Sequence, residues 1–274
     1  MNKQHYKKKA RELILNVANR VGGSHIGGSF SIVDFLVHLY VNYRDTNIVT
    51  HDQLYNGFLS TLPKIIFSKG HCYLSQLATL DAIFNKNYYT DNYLVNSTYF
   101  FGHPKKNIQN DHFFVSAGAL GQGLTFGNGL SLSNKFLKNN SKVISIIGDG
   151  EFNEGSCTEA LLFASQHQLN HIFVIDNNDQ MSLGKTSKIF NLGFIQNRIK
   201  SYGLECYEID GHNNHELEMC IKNIMSNEIN LPCVYILNTI KGKGVSFMEG
   251  DPKWHHRRFK NDEFKNAINE LNEK

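Results

Sequence analysis

Proline and tryptophan are scarce in this 274-residue chain, at four and one. So few prolines leave no Pro-rich linker, and no repeat or low-complexity tract interrupts the sequence. The five cysteines, Cys72, Cys157, Cys206, Cys220 and Cys233, are odd in number and include no CxxC pair. That argues against a disulfide framework or a zinc ribbon and for reduced, packed thiols in a cytoplasmic protein. No apolar run approaches the roughly 18 residues of a membrane span. The basic start, MNKQHYKKKARELILNVANRVGG, is interrupted by Asn16, Asn19 and Arg20 and has no small-residue cleavage pattern, so it reads as a helix and not a secretory signal. The net charge of +3 is too mild for a nucleic-acid surface and suits an anionic small ligand. What is present is a chain 41% hydrophobic and 19% charged, which is globular and long enough to bury a large core.

Helical and extended patterns alternate along it. Residues 4–20, 31–43, 72–84, 156–168 and 214–226 read as helices, and a long helix follows the glycines near 118–123. Residues 64–68, 143–147, 172–176, 205–209 and 233–238 read as short apolar strands. Residues 86–112, rich in Asn and Tyr, read as looser structure. Strands separated by helices predict an α/β fold, a parallel sheet flanked by helices on both faces, with ligands at the carboxyl ends of the strands. The loops SKGH, GDG, DNN and TIKGKG each follow a candidate strand, so a parallel sheet gathers them at one edge.

Chemistry concentrates in those loops. Asp149 is a carboxylate at a strand end, and Gly148 and Gly150 clear the space beside it for a phosphate. The helix that follows turns its positive end toward such an anion. About thirty residues later, one helix and one strand on, Asn178 offers an amide oxygen. Magnesium or calcium takes oxygen ligands of this kind. Histidines sit beside glycines in other loops: His25, His71 and His103. Imidazole ionises near neutral pH, which suits proton transfer, and a neutral ring can also orient hydroxyls. His38 and His167 lie in helical patterns and read as packing or surface residues, while His112, His171, His212 and His215 carry no chemical expectation. GALGQG lacks the G-x-G-x-x-G spacing of a dinucleotide site, and no G-x-S-x-G elbow is present. KGKG at 241–244 reads as a phosphate cradle or a solvated loop, and WHHRRF at 254–259 as a solvated or substrate-facing loop.

GDG with NN about thirty residues on is the diphosphate and metal pattern of thiamine-diphosphate enzymes. More closely, the chain resembles the N-terminal half of transketolase, encoded separately in split transketolases. GGSHIGGSFSIVDFLVHLY, SKGHCYLSQLATL, FGHP, VSAGALGQGL, GDGEFNEGSCTEA, DNN and TIKGKGVSFMEGDPKWH carry the resemblance in order along nearly the whole chain. It implies that Asp149 and Asn178 bind magnesium (or calcium) with the backbone carbonyl at Gln180, and that Gly150 meets the diphosphate. It implies that His71, Gly118, Ala119, Leu120 and His255 adjoin thiamine diphosphate, and that His25, His103 and His255 line the substrate channel. Glu154 matches a glutamate of the dimer interface that communicates with the partner's active site.

The same resemblance implies that residues 1–274 form one diphosphate-binding (PP-type) domain. The pyrimidine-binding and C-terminal domains, with the cofactor-activating glutamate, are then expected on a complementary subunit. An α2β2 heterotetramer is the implied assembly. The implied activity is transfer of a two-carbon ketol unit from a ketose (phosphate) donor to an aldehyde acceptor, in a dedicated carbohydrate-biosynthesis pathway among the options. Alternatives are an alpha-type subunit of a 2-oxoacid decarboxylase or dehydrogenase, and a non-catalytic regulatory subunit. The chain departs from the family at Ile26, where Pro is usual, at Ala119, and at Arg257 and Arg258, where a small residue usually follows the histidine. Those arginines suit a sugar phosphate, a nucleotide-sugar or a subunit contact.

Overall fold

Strands that are apolar at every position must be covered on both faces, and the sheet meets that demand. The computed structural model describes residues 3–45, 63–95, 102–104, 115–182, 184–190, 193–226 and 231–273. Its strands are β1 (Lys64–Phe67), β2 (Val143–Gly148), β3 (His171–Asn177), β4 (Glu205–Asp210) and β5 (Cys233–Asn238). They pair in the order β1-β2-β3-β5-β4, every pair parallel. Successive side chains alternate between two cores, as a strand's period of two requires. Ile144, Ile146, Ile172, Val174, Tyr235 and Leu237 face one core, while Ile147, Phe173, Ile175, Val234 and Ile236 face the other. Edge strand β4 is the least buried and carries Glu205, Glu208 and Asp210, charges that discourage pairing with another edge.

The larger core is closed by α1 (Lys3–Val21), α2 (Ile26–Ser31), α3 (Val33–Asp45), α4 (Leu74–Phe84) and α5 (Tyr88–Val95), together with two later helices, Asn214–Met225 and Glu263–Glu273. The smaller core lies under α6 (Gln122–Phe136), α7 (Gly155–His167) and the short helix Ile195–Ser201. Among the described residues no helix is long and apolar enough to cross a membrane. The cysteines are all free thiols, four of them buried.

Most expected elements are present within one or two residues of their expected ends. The glycine-rich segment is the main difference. GGSHIGGS, residues 22–29, reads as a glycine-rich loop from its composition, yet Gly27 and Gly28 lie inside α2. Ser29 Oγ donates to the His25 carbonyl at 2.7 Å, closing a turn where propensity is poor. A Cβ on Gly28 would stand 2.6 Å from Cys72 Sγ, so the glycines are there for close approach. In the looser region α5 forms, and residues 96–101 and 105–114, with His112, lie outside the described residues. The short helices Thr186–Ile189 and Ile195–Ser201 had no strong periodic signal, and the helix Glu263–Glu273 was passed over although Phe264, Ala267, Ile268 and Leu271 recur at helical spacing.

His171, without an expected role, ties the smaller core together. It is fully buried, with Nε2 2.8 Å from Ser145 Oγ and Nδ1 2.8 Å from Asn128 Oδ1. Asn128 in turn donates to the Ala160 carbonyl at 2.8 Å. Burial pushes the His171 imidazole down to about 3. The unfolded chain therefore binds this proton more readily, and the stability it contributes is complete above about pH 6.5 and lost as pH falls toward the folded value. Urea unfolding across that window is expected to show stability falling by up to about 1.4 kcal/mol per pH unit for this histidine, with a shallower slope in His171→Gln.

Candidate active site

A parallel sheet puts the loops that follow β1, β2, β3 and β5 at one edge, and there they surround a cavity of about 350 Å³. Asp149, Gly150, Asn178 and Gln180 line one part of it, and His25, His71, His103 and His255 another. Gly118 and Leu120 also line it, whereas Ala119 is exposed beside them.

At the first part, Asp149 is buried and accepts from Thr186 Oγ1 at 2.7 Å through Oδ2. Burial raises its carboxyl to about 6, against the pull of the Thr186 hydroxyl. A carboxylate held this way is relieved by a cation. The side-chain oxygen of Asn178 is buried with no hydrogen-bond partner among the described residues, an unmet acceptor that a hard cation would satisfy. Gln180 Nε2 donates to the Gly250 carbonyl at 2.7 Å, while its side-chain oxygen, like that of Asn178, is buried with no hydrogen-bond partner among the described residues. Gly150 is required locally, because a Cβ there would lie 2.7 Å from that of Met181. The oxygen donor set fits magnesium or calcium.

At the other part the imidazoles crowd together. The His25 ring centre lies 4.9 Å from His71, 5.3 Å from His255 and 6.3 Å from His103. Burial, then the neighbouring His256, His255 and His103, lowers His25 to about 3. Burial, then Lys241 and Lys69, lowers His255 to about 4, and burial followed by Lys69 puts His71 well below its ordinary value. His103 is lowered by burial alone. These are neutral rings, each with one donor and one acceptor, suited to orienting hydroxyls.

Carboxylates beneath the cavity join the loops. Asp176, at the end of β3, accepts from Ser31 Oγ at 2.6 Å and from Lys69 Nζ and Thr239 Oγ1. Burial alone would raise its carboxyl, but Lys69 and these donors hold it below its ordinary value. Glu151 accepts from Ser68 Oγ, from the Gly121 amide at 2.8 Å and from the Gly148 amide at 3.2 Å.

Residues 3–272 match the family model described as transketolase, thiamine diphosphate binding domain. The chain belongs to the transketolase family. One of the subunits of the apulose-4-phosphate transketolase of Phocaeicola vulgatus is 32% identical over 97% of this chain and 92% of that one. The 6-deoxy-6-sulfo-D-fructose transketolase subunit SqwG of a Clostridium species is 30% identical over 98% of this chain and 95% of that one. The transketolase of Campylobacter jejuni shares the fold at a TM-score of 0.83 and 23% identity, covering 99% of this chain and 43% of that chain. The chain is thus a transketolase-type, thiamine-diphosphate-binding transferase subunit.

Within this transketolase framework Glu154 is not brought to the histidines. It is exposed where α7 begins, and its side chain makes no capping bond there. Arg257 is committed internally: Nη2 donates to both Glu263 oxygens, at 2.9 and 2.8 Å, and the guanidinium lies 4.3 Å over the Trp254 ring. It pins its loop to the last helix and is no free phosphate ligand. Sequence reasoning passed over Lys69, Lys241, Glu151, Thr186 and His256, whose ring centre is 4.5 Å from His25. Lys69 and His256 lay inside quoted motifs; Thr186 had no signal at all. Glu151→Ala leaves two amides and a hydroxyl without their acceptor and is expected to cost about 3 kcal/mol in urea unfolding.

Proposed function

We propose that the chain is the diphosphate- and metal-binding half of a two-chain transketolase, moving a two-carbon ketol unit from a ketose to an aldehyde. The observation that carries this is the buried Asn178 oxygen, without a hydrogen-bond partner among the described residues, in the same cavity as Asp149 and the neutral histidines. Asp149, Asn178 and the Gln180 carbonyl would hold magnesium, and the backbone at Gly150 would meet the diphosphate. Thiamine diphosphate, when bound, supplies the nucleophilic carbon that the protein lacks.

The chain's own contribution is orientation. His25, His103 and His255 would hold the sugar hydroxyls through hydrogen bonds to their neutral rings. Lys241, buried and without an ion pair among the described residues, favours an anionic cofactor, whereas Lys69 is paired with Asp176. Both named relatives act on sugars bearing an anionic group, a phosphate or a sulfonate. We assign this chain a substrate of the same chemical class, a sugar phosphate or its analogue, with a nucleotide-sugar as the competing choice. Arg258, exposed and without an ion pair among the described residues, is the candidate contact to that group.

The second chain would bring the pyrimidine-binding domain and the activating glutamate, in an α2β2 assembly. Two features support it. Leu120, in the cavity wall, is 43% exposed, and α6 and α7 turn Phe126, Leu162 and Phe163 to solvent at 46, 48 and 40%. Apolar exposure of that kind beside a site marks a covered surface.

Calorimetric titration with thiamine diphosphate and magnesium tests the metal end. Asp149→Ala is expected to abolish binding; unchanged binding would overturn the reading. Asn178→Ala should weaken binding while leaving metal-free stability unchanged or higher, because an unsatisfied buried oxygen is removed. Mixing with a complementary chain tests the assembly. Ketose donors are expected to yield two-carbon transfer only in the mixture, and Phe126→Asp or Leu162→Asp to block co-sedimentation without unfolding. Turnover by this chain alone, or consumption of pyruvate in place of a ketose, would count against the proposal.

A further inference from the structure

His212 had no expected role, yet it stands between two buried parts of the molecule. It sits in the turn after β4, with Nδ1 2.7 Å from Asp34 Oδ2 on α3. The other Asp34 oxygen accepts from Arg11 Nη2 at 2.9 Å, and Lys7 Nζ lies 3.8 Å away. Burial opposes ionisation of Asp34, but Arg11 and then His212 and Lys7 outweigh it and hold the carboxyl well below its ordinary value. An ionised carboxylate only accepts, so the His212 proton is on Nδ1. Nε2 is then free to accept, and the Ile240 amide donates to it at 2.9 Å.

The next residue is Lys241, 3% exposed, with Nζ 3.4 Å from the Gln180 carbonyl and 3.2 Å from His255 Nδ1. Its path is narrow. A Cβ on Gly27 would stand 2.8 Å from Lys241 Cγ, so the backbone of α2 forms one wall of the slot. The Gly242 amide donates to the Gly27 carbonyl at 3.0 Å, and the Gly250 amide to the Lys241 carbonyl at 2.9 Å. An ammonium has three donors and no acceptor. His255 Nδ1 must therefore accept from it, which leaves the ring proton on Nε2.

We propose that His212 is a positioning residue: through the Ile240 amide it sets Lys241, and Lys241 fixes His255 as its Nε2–H tautomer. The ring then has one donor left to offer, and whatever meets it through Nε2 is an oxygen acceptor, such as a ketose carbonyl or a phosphate oxygen, and not a hydroxyl donor. The relay starts in the α1–α3 core and ends in the cavity, so it couples site geometry to the packing of helices that touch no substrate. Its meaning for catalysis rests on the reading of His255 as a site residue; the tautomer itself is a property of the chain.

The test is long-range proton–nitrogen correlation on the full chain with labelled histidine, assigning His255 from His255→Asn. The expected wild-type result is a protonated Nε2 and an unprotonated Nδ1 at His255. Lys241→Met should draw the two nitrogen shifts toward a common average. His212→Ala should do so in part, whereas His212→Gln, whose side-chain oxygen can still accept from the Ile240 amide, should keep the wild-type pattern. Amide dispersion confirms that each variant is folded, and Lys241→Met and His212→Gln carry the test if His212→Ala is not. A protonated Nδ1 in the wild type, or no change in Lys241→Met, overturns the tautomer assignment. A wild-type pattern in His212→Ala overturns the role of His212. None of these results depends on cofactor binding, so failure of the transketolase reading would be seen separately, in the calorimetry.

Discussion

Asp176 is the residue on which the cavity depends. It ends the central strand, has no exposed surface, and accepts hydrogen bonds from Ser31, Lys69 and Thr239. Those donors come from α2, from the loop after β1 and from the loop after β5. One carboxylate therefore decides where three segments sit. A buried ion pair adds little net stability against a well-packed apolar alternative, but breaking one by removing a partner costs about 3–5 kcal/mol. The pair is better understood as a registration device. Glu151 repeats the arrangement one strand over, gathering the loops at Ser68, Gly121 and Gly148.

With the loops fixed, the electrostatics of the cavity follow from burial. Lys69 and Lys241 bring positive charge, and the histidines packed against them cannot also be charged. Neutral rings and buried ammonium groups together make an environment for an anion flanked by polar, uncharged ligands. Asp149 lies at the other end of this field with its carboxyl raised by burial, while the Asn178 oxygen has no protein partner among the described residues. A divalent cation between them would remove both penalties at once, which is the physical content of the GDG and NN pair.

Much of this was legible in the chain. Apolar runs of strand length predicted a parallel sheet, and parallel strands oblige the loops after them to share an edge. Asp149 and Asn178 could be paired because a helix and a strand of ordinary length separate them. The strand order was not legible, since the crossover that places β5 between β3 and β4 leaves no local signature. Gly27 and Gly28 read as a loop because propensity disfavours them in helices, and tertiary contacts with Lys241, the Trp254 carbonyl and Cys72 override that preference. Arg257 read as a free cation because a sequence does not show Glu263 and Trp254 folding back on it.

Hydrophobic periodicity was enough to set the layered sheet and the edge at which chemistry collects. The residue types that meet there were likewise plain in the chain, because oxygen and nitrogen donors exist whatever the fold. Protonation was settled only by folding: the histidines are neutral, Asp149 is raised, and the His212 proton faces Asp34. A proton's position depends on dehydration and on the few groups within hydrogen-bonding distance, and those groups come from segments far apart in the chain.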